Sequence, residues 1–370
     1  MKEKNIISGK QFMFTIACFI QSSALLSAFI AAITLQESWI PSIISIILCI
    51  PFFILYSKLS KLFPNKTYVQ ITEIILGPFF GKILNIFYIA FFFVLTSLNI
   101  RDLSNLTKTT TLNKTPDLVI ILICVSVCAI TITYGLKAIT QLGKLFTITS
   151  IAVTIISILL LIEEFCLPNL LPVFSLKFIN YVQATHIAMT IPFGELIVFL
   201  MITPNVKMKE NKLTKYFISG FLIGGFTFLF SILRDIAVLG NTFSVFTTPS
   251  LITFRLIHVG EVLSRMEILF AIILIMLLFF KINFLYYITM ITIKDSFKLK
   301  SFKKLIKIVG ATLIIASITI QTDPLTHMHT ARTVEPFIWL LFEFAFPTII
   351  FLIAIIFNKK IKKGMDVCLS

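Results

Sequence analysis

The stretch YVQATHIAMTIPFGELIVFLMIT, residues 181–203, decides the fold. It has the length of a helix that crosses a bilayer, about 20 residues at 1.5 Å each. Yet its middle reads Thr190-Ile191-Pro192-Phe193-Gly194-Glu195. Proline removes a backbone donor, glycine loosens the helix, and a carboxylate follows at once. Backbone freed from a helix at membrane depth is tolerated only where protein or a cavity satisfies it. A broken spanning helix therefore predicts a polar niche beside residues 190–195.

The rest of the chain supports a membrane reading. Of its 370 residues 58% are apolar, and the mean hydropathy is +1.00. Apolar runs predict ten spans, at about 11–33, 40–57, 82–103, 117–134, 142–162, 181–203, 215–239, 266–289, 305–321 and 335–357. The segment Glu73–Lys82, with Gly77-Pro78 and Gly81, is too broken to span and is expected as a surface or re-entrant helix. Ser250–Leu263 is expected as an amphipathic helix on the outer surface. The loops alternate in basicity. Of the 32 Lys and Arg, 23 fall on one side, eight on the other, and Lys281 within a span. Basic loops stay in the cytoplasm, so both termini are predicted there. The net charge of +15 is then loop charge facing anionic lipid, and no nucleic-acid partner is needed to explain it.

Ten spans divide as five plus five. An odd number per half makes the second half enter from the opposite side, the topology of an inverted repeat. The expected organisation is one membrane domain over residues 1–370. Its first repeat covers about 8–166 and its second about 177–322. The ninth and tenth helices, about 305–357, and a basic tail, 358–370, follow. Spans one and six become equivalents, so span one should also be interrupted. It carries the polar patch Gln21-Ser22-Ser23 about ten residues in. Half-helix N-termini favour a carboxylate and freed carbonyls favour an ammonium, a combination suited to an amino acid. Gln21, Ser22, Ser23, Thr190, Pro192, Gly194 and Glu195 are the candidate ligand-binding residues.

Intramembrane ionisable groups cost at least about 2.5–3.5 kcal/mol on insertion scales and are seldom idle. Glu195 is a candidate for binding a ligand ammonium or carrying a proton; the alternative is a neutral carboxyl bonding a freed carbonyl. Lys281 lies at a similar depth. It can pair with Glu195 in place of a coupling cation, or its long arm can snorkel to the inner surface. Glu343, between Phe342 and Phe344, is expected to hold helices together. Arg101/Asp102 and Arg234/Asp235 are expected as interfacial salt bridges. Asp323, His327 and His329 read as a solvated loop rather than a metal site. No nucleophile elbow, phosphate loop or dinucleotide fingerprint occurs, so neither enzyme activity nor a cofactor is expected.

Further stretches carry a resemblance. They are Gly9-Lys10-Gln11, Glu37-Ser38-Trp39, Leu76-Gly77-Pro78-Phe79-Phe80-Gly81-Lys82, Thr115-Pro116, Tyr134-Gly135-Leu136, Pro192-Phe193-Gly194-Glu195 and Ser264-Arg265-Met266-Glu267. In this order the chain resembles the B subunits of spore germinant receptors, a spore-germination branch of the amino acid–polyamine–organocation transporter superfamily. Two departures stand out: Gln21-Ser22-Ser23 where the family usually has glycine, and Leu35-Gln36-Glu37-Ser38-Trp39 where it often has Gly-x-Asp-x-Trp. The resemblance implies an all-α, amino-acid-permease-like fold with broken helices one and six in the spore inner membrane. It also implies a larger membrane A subunit and a lipoprotein C subunit as partners, and a small germinant, an amino acid or similar molecule, as the signal. A proton-coupled amino-acid permease is the alternative reading.

Overall fold

The computed structural model describes residues 6–24, 27–207, 212–257, 266–320 and 324–356. Its helices are α1 Gly9–Gln21, α2 Ser27–Thr34, α3 Trp39–Leu62, α4 Tyr68–Thr110, α5 Asp117–Tyr134 and α6 Leu136–Leu160. There follow α7 Phe178–Ala188, α8 Leu213–Leu239, α9 Pro249–Arg255, α10 Met266–Ser296, α11 Leu305–Thr319, α12 Pro324–Thr333 and α13 Glu335–Leu340. Helix α7 runs on through a distorted turn to Met201, and α13 through another to Ile356.

Among the described residues, eight helical runs are long and apolar enough to cross a membrane. The other two expected spans differ. The first is split into α1 and α2, and the ninth, α11, has 15 residues. Leu122, Ile123, Ile130, Leu145, Ile155 and Leu159 of α5 and α6 lie exposed. An apolar surface of this kind is a face for lipid.

Local chemistry sets the helix ends. Ser8 Oγ accepts from the Gln11 amide and Gln11 Oε1 accepts from the Ser8 amide, a capping box that starts α1. Thr67 and Gln70 start α4 in the same way. Gly77, at φ 80°, kinks α4, and the turn before it folds back so closely that a Cβ on Gly81 would lie 2.6 Å from Glu73 Cα. The expected broken segment around Gly77-Pro78 is this kinked lead-in. Gly135, at φ 89°, turns α5 into α6. Of the expected outer helix 250–263, α9 ends at Arg255, and residues 258–263 lie outside the described residues. So do Lys2, Lys4, Lys209, Ser264, Arg265, Asp323 and the tail.

Helices of the first half of the chain pack against those of the second: α1 packs on α8, and α3 packs on both α7 and α8. Helices α4 and α10, one from each half, form an extensive pairing. Short strands β1 (Ile7–Ser8) and β2 (Val206–Lys207) pair in parallel and tie the start of α1 to the end of the sixth span. Two glycines let α1 and α8 touch. A Cβ on Gly220 would lie 2.5 Å from the Met13 carbonyl, and one on Gly224 would lie 2.8 Å from Ile20 Cβ. Such small-residue contacts replace the hydrophobic drive that lipid cannot supply.

Charged groups complete the frame. Arg234 and Asp235 pair at 2.6 Å. They are fully buried rather than interfacial as expected, with Ser157 and Ser250 as further partners and Phe254 under the guanidinium. Arg101 reaches Asp117 at 3.6 Å, which ties α4 to the start of α5. At the opposite end from β1, Glu37 gathers the loop before α7. It accepts from the amides of Phe174 (2.6 Å) and Ser175 (3.2 Å) and from the hydroxyls of Ser175 and Tyr181. Burial works against its charge, but these donors outweigh burial and hold the carboxyl below the ordinary carboxylate range.

Two outcomes are expected. Gly224→Val lowers stability by about 1–3 kcal/mol by overpacking, read as an earlier thermal unfolding in detergent; an unchanged midpoint means that α1 and α8 do not touch there. The Glu37 closure is complete at neutral pH and is lost as the pH falls through its lowered titration range. Amide-exchange protection at Phe174 and Ser175 therefore declines on acidification and is low at every pH in Glu37→Gln.

Candidate functional site

The sixth span breaks where its sequence says it must. Helix α7 ends at Ala188, Met189–Phe193 form a wide π-type turn, and Gly194–Met201 continue as a tight 3₁₀ helix. Ile191 has φ −121° and ψ 102°, outside the helical region. Pro192 offers no amide to the turn. The first span breaks as well: its α-helix ends at Gln21 and gives way to turn bonding at Ser22 and Ser23, residues 25 and 26 lie outside the described residues, and α2 is described from Ser27. Both breaks lie in the interior, with Ser22, Ser23, Thr190, Pro192, Gly194 and Glu195 all buried.

Across these breaks the Lys281 ammonium of α10 lies 2.5 Å from Glu195 Oε2, and both side chains are 1% exposed. The ammonium also donates to Ser23 Oγ at 2.7 Å and sits 4.9 Å from the centre of the Phe19 ring. Lys281 thus links span one, span six and span eight at one atom. It does not snorkel, because it is enclosed on every side. Burial makes such a pair costly to form and more costly to break one-sidedly, since the orphaned charge stays buried.

The seven candidate residues do not share one niche. Glu195 and Ile191 line a narrow cavity with Phe29 of α2, Asn99 and Asp102 of α4, and Glu335 of α13. Ser23 meets this side through Lys281. Ser22 turns elsewhere and donates to the Leu277 carbonyl at 2.8 Å. Gln21 points a third way. Its amide nitrogen donates to Thr227 Oγ1 at 3.1 Å, and it lines a separate cavity with Ser150, Thr154, Thr227 and Ser231. Thr190 donates to carbonyls of its own helix, at His186 and Ile187. Asn99 was missed, and Asp102, expected only as the interfacial partner of Arg101, lines this cavity as well; their i, i+3 spacing puts both on one face of α4.

Glu343 also differs from its expected role. Among the described residues neither oxygen of its buried carboxyl has a hydrogen-bond partner. The helix contact is made instead by its backbone carbonyl, which accepts from the Tyr56 hydroxyl. Its carboxyl presses on Gly194, where a Cβ would overlap it. Glycine is therefore required at 194 by this contact; its own backbone is helical, with φ −64° and ψ −31°.

Among the described residues no cluster of His, Cys, Asp and Glu could hold a metal ion.

Comparison with known proteins agrees with this architecture. The family model described as Spore germination protein matches residues 6–324. Spore germination protein KB of Bacillus subtilis (strain 168) is 25% identical over 367 residues, covering 98% of each chain. Among solved structures, Mhp1, a nucleobase-cation-symport-1 family transporter in a closed conformation with bromovinylhydantoin bound, aligns with a TM-score of 0.59 at 15% identity, over 86% of this chain and 74% of that one. MhsT in complex with L-phenylalanine aligns with a TM-score of 0.52 at 12% identity, over 90% and 97%. This chain shares the fold of these two structures. With the match running through both breaks and the residues that bridge them, this chain is an integral membrane protein of the spore germination protein family.

Proposed function

We propose that this chain is the nutrient-sensing subunit of a spore germinant receptor, taking a small ligand with an ammonium group, such as an amino acid, beside Glu195. The observation that carries this reading is the Lys281–Glu195 pair, held at 2.5 Å between two helix breaks. A carboxylate already satisfied by an internal ammonium is a site that an external ammonium can compete for. The ligand then favours whichever arrangement of the bundle releases Lys281, and its effect equals its differential affinity for the two arrangements. The cavity beside Glu195 is narrow in this arrangement, so entry requires the halves to part, with Glu37 as the latch on that side. Support for the ligand class comes from the zwitterion chemistry of paired helix breaks and from the L-phenylalanine bound to MhsT.

The setting belongs to the same proposal. The chain is one membrane domain with repeats at about 8–166 and 177–322. It lies in the inner membrane of the spore with both termini in the cytoplasm, and it works with a membrane A subunit and a lipoprotein C subunit. Loop charge supports the orientation.

The test uses spores carrying this receptor alone, scanned over amino acids and nucleosides. Glu195→Gln removes a charge-assisted contact worth about 1.5–3 kcal/mol, so the half-maximal nutrient concentration rises about 10–150-fold. Lys281→Met alters the response as well. An unchanged response at normal protein level in both variants discards the reading. Uptake of labelled amino acid by proteoliposomes, with germination intact in a deletion strain, would show a permease instead.

A further inference from the structure

Glu343 is a carboxyl that nothing above employs. Its side chain is 0% exposed, and among the described residues neither oxygen accepts or donates a hydrogen bond. An ionised carboxylate left so is prohibitively costly in a low-dielectric interior, and the group neutralises instead by holding a proton. Its surroundings are specific. The last span widens into a π-type turn at Leu341–Ala345, a distortion frequent at functional sites. That turn frees the carbonyls of Phe342 and Glu343, which accept from Tyr88 (2.7 Å) and Tyr56. The carboxyl itself abuts Gly194, the residue next to Glu195, so Lys281, Glu195, Gly194 and Glu343 form one contiguous line.

The titratable groups facing Glu343 come from every neighbouring element. They are Glu195 on the sixth span, Lys281 on α10, Cys49 and Tyr56 on α3, and Tyr88 with its hydrogen-bonded partner Tyr68 on α4. Lys281 is the cation among them, and the phenols and the thiol offer no positive charge.

We infer that Glu343 is a proton-binding site and the alternative partner of Lys281. In the closed arrangement Lys281 pairs with Glu195 while Glu343 holds a proton. When Glu195 is engaged by another cation, the Lys281 ammonium moves to Glu343, and the Glu343 O–H bond breaks. The bonding electrons remain as the carboxylate that pairs with Lys281, and the proton passes to water. One proton leaves per exchange, and the buried charges stay matched throughout. The trigger rests on the ligand reading above; the partner exchange itself does not.

Infrared spectroscopy of the full chain in lipid bilayers at neutral pH tests the exchange without any nutrient. The wild type shows the carbonyl stretch of a protonated carboxylic acid, shifted in heavy water, and Glu343→Gln abolishes it. Glu195→Gln also abolishes it, because Lys281 turns to Glu343 and ionises it. Lys281→Met roughly doubles it, because Glu195 loses its cation and takes up a proton. Circular dichroism checks that each variant retains its helicity, and Lys281→Met gives an independent arm where Glu195→Gln does not fold. A wild type without the band, a band surviving Glu343→Gln, a band surviving Glu195→Gln, or a band unchanged in Lys281→Met overturns the assignment. These outcomes are independent of germination, so failure here and failure of the sensing role are separable.

Discussion

A single buried ammonium organises the interior. Lys281 reaches from the middle of α10 to Glu195 and Ser23, so three spans meet at one nitrogen atom. Unpaired charge is costly in an apolar interior, and here the ammonium and the carboxylate meet each other beside both breaks. The pair also has the property of buried ion pairs in general: it adds little net stability when intact, yet losing one member is severe. It therefore works as a constraint on arrangement more than as a source of strength.

Much of the fold was legible because membrane physics leaves few options. Apolar length identified the long helices, and Pro192, Gly194 and Glu195 together marked the sixth-span break without ambiguity. The first break was legible only through symmetry, since Gln21-Ser22-Ser23 contains no helix breaker. Helices α1 and α2, of 13 and 8 residues, each fall short of a full span, and α11 is brief at 15 residues.

The site was less legible, for a geometric reason. Consecutive residues in a helix point about 100° apart, so a polar triplet cannot line one niche. Gln21 faces Thr227, Ser22 faces the Leu277 carbonyl, and Ser23 faces Lys281. Counting from helix ends gave Glu195 and Lys281 equal depth, yet depth carries no information about facing. The contact of Glu343 with Gly194 joins residues far apart in sequence, and no local pattern announces it. The fit of glycine under a carboxyl is a tertiary fact.

The two ends of the broken pair are fastened by different materials. At one end Ile7 and Ser8 are stitched to Val206 and Lys207 through the peptide backbone, which has no titratable atom to lose. At the other, a lone carboxylate clasps two amides and two hydroxyls. A clothes-peg behaves this way: the sprung end stays shut while the jaws gape. The stitched end therefore keeps its fastening at any pH, whereas the other loses its grip once acid protonates the carboxylate.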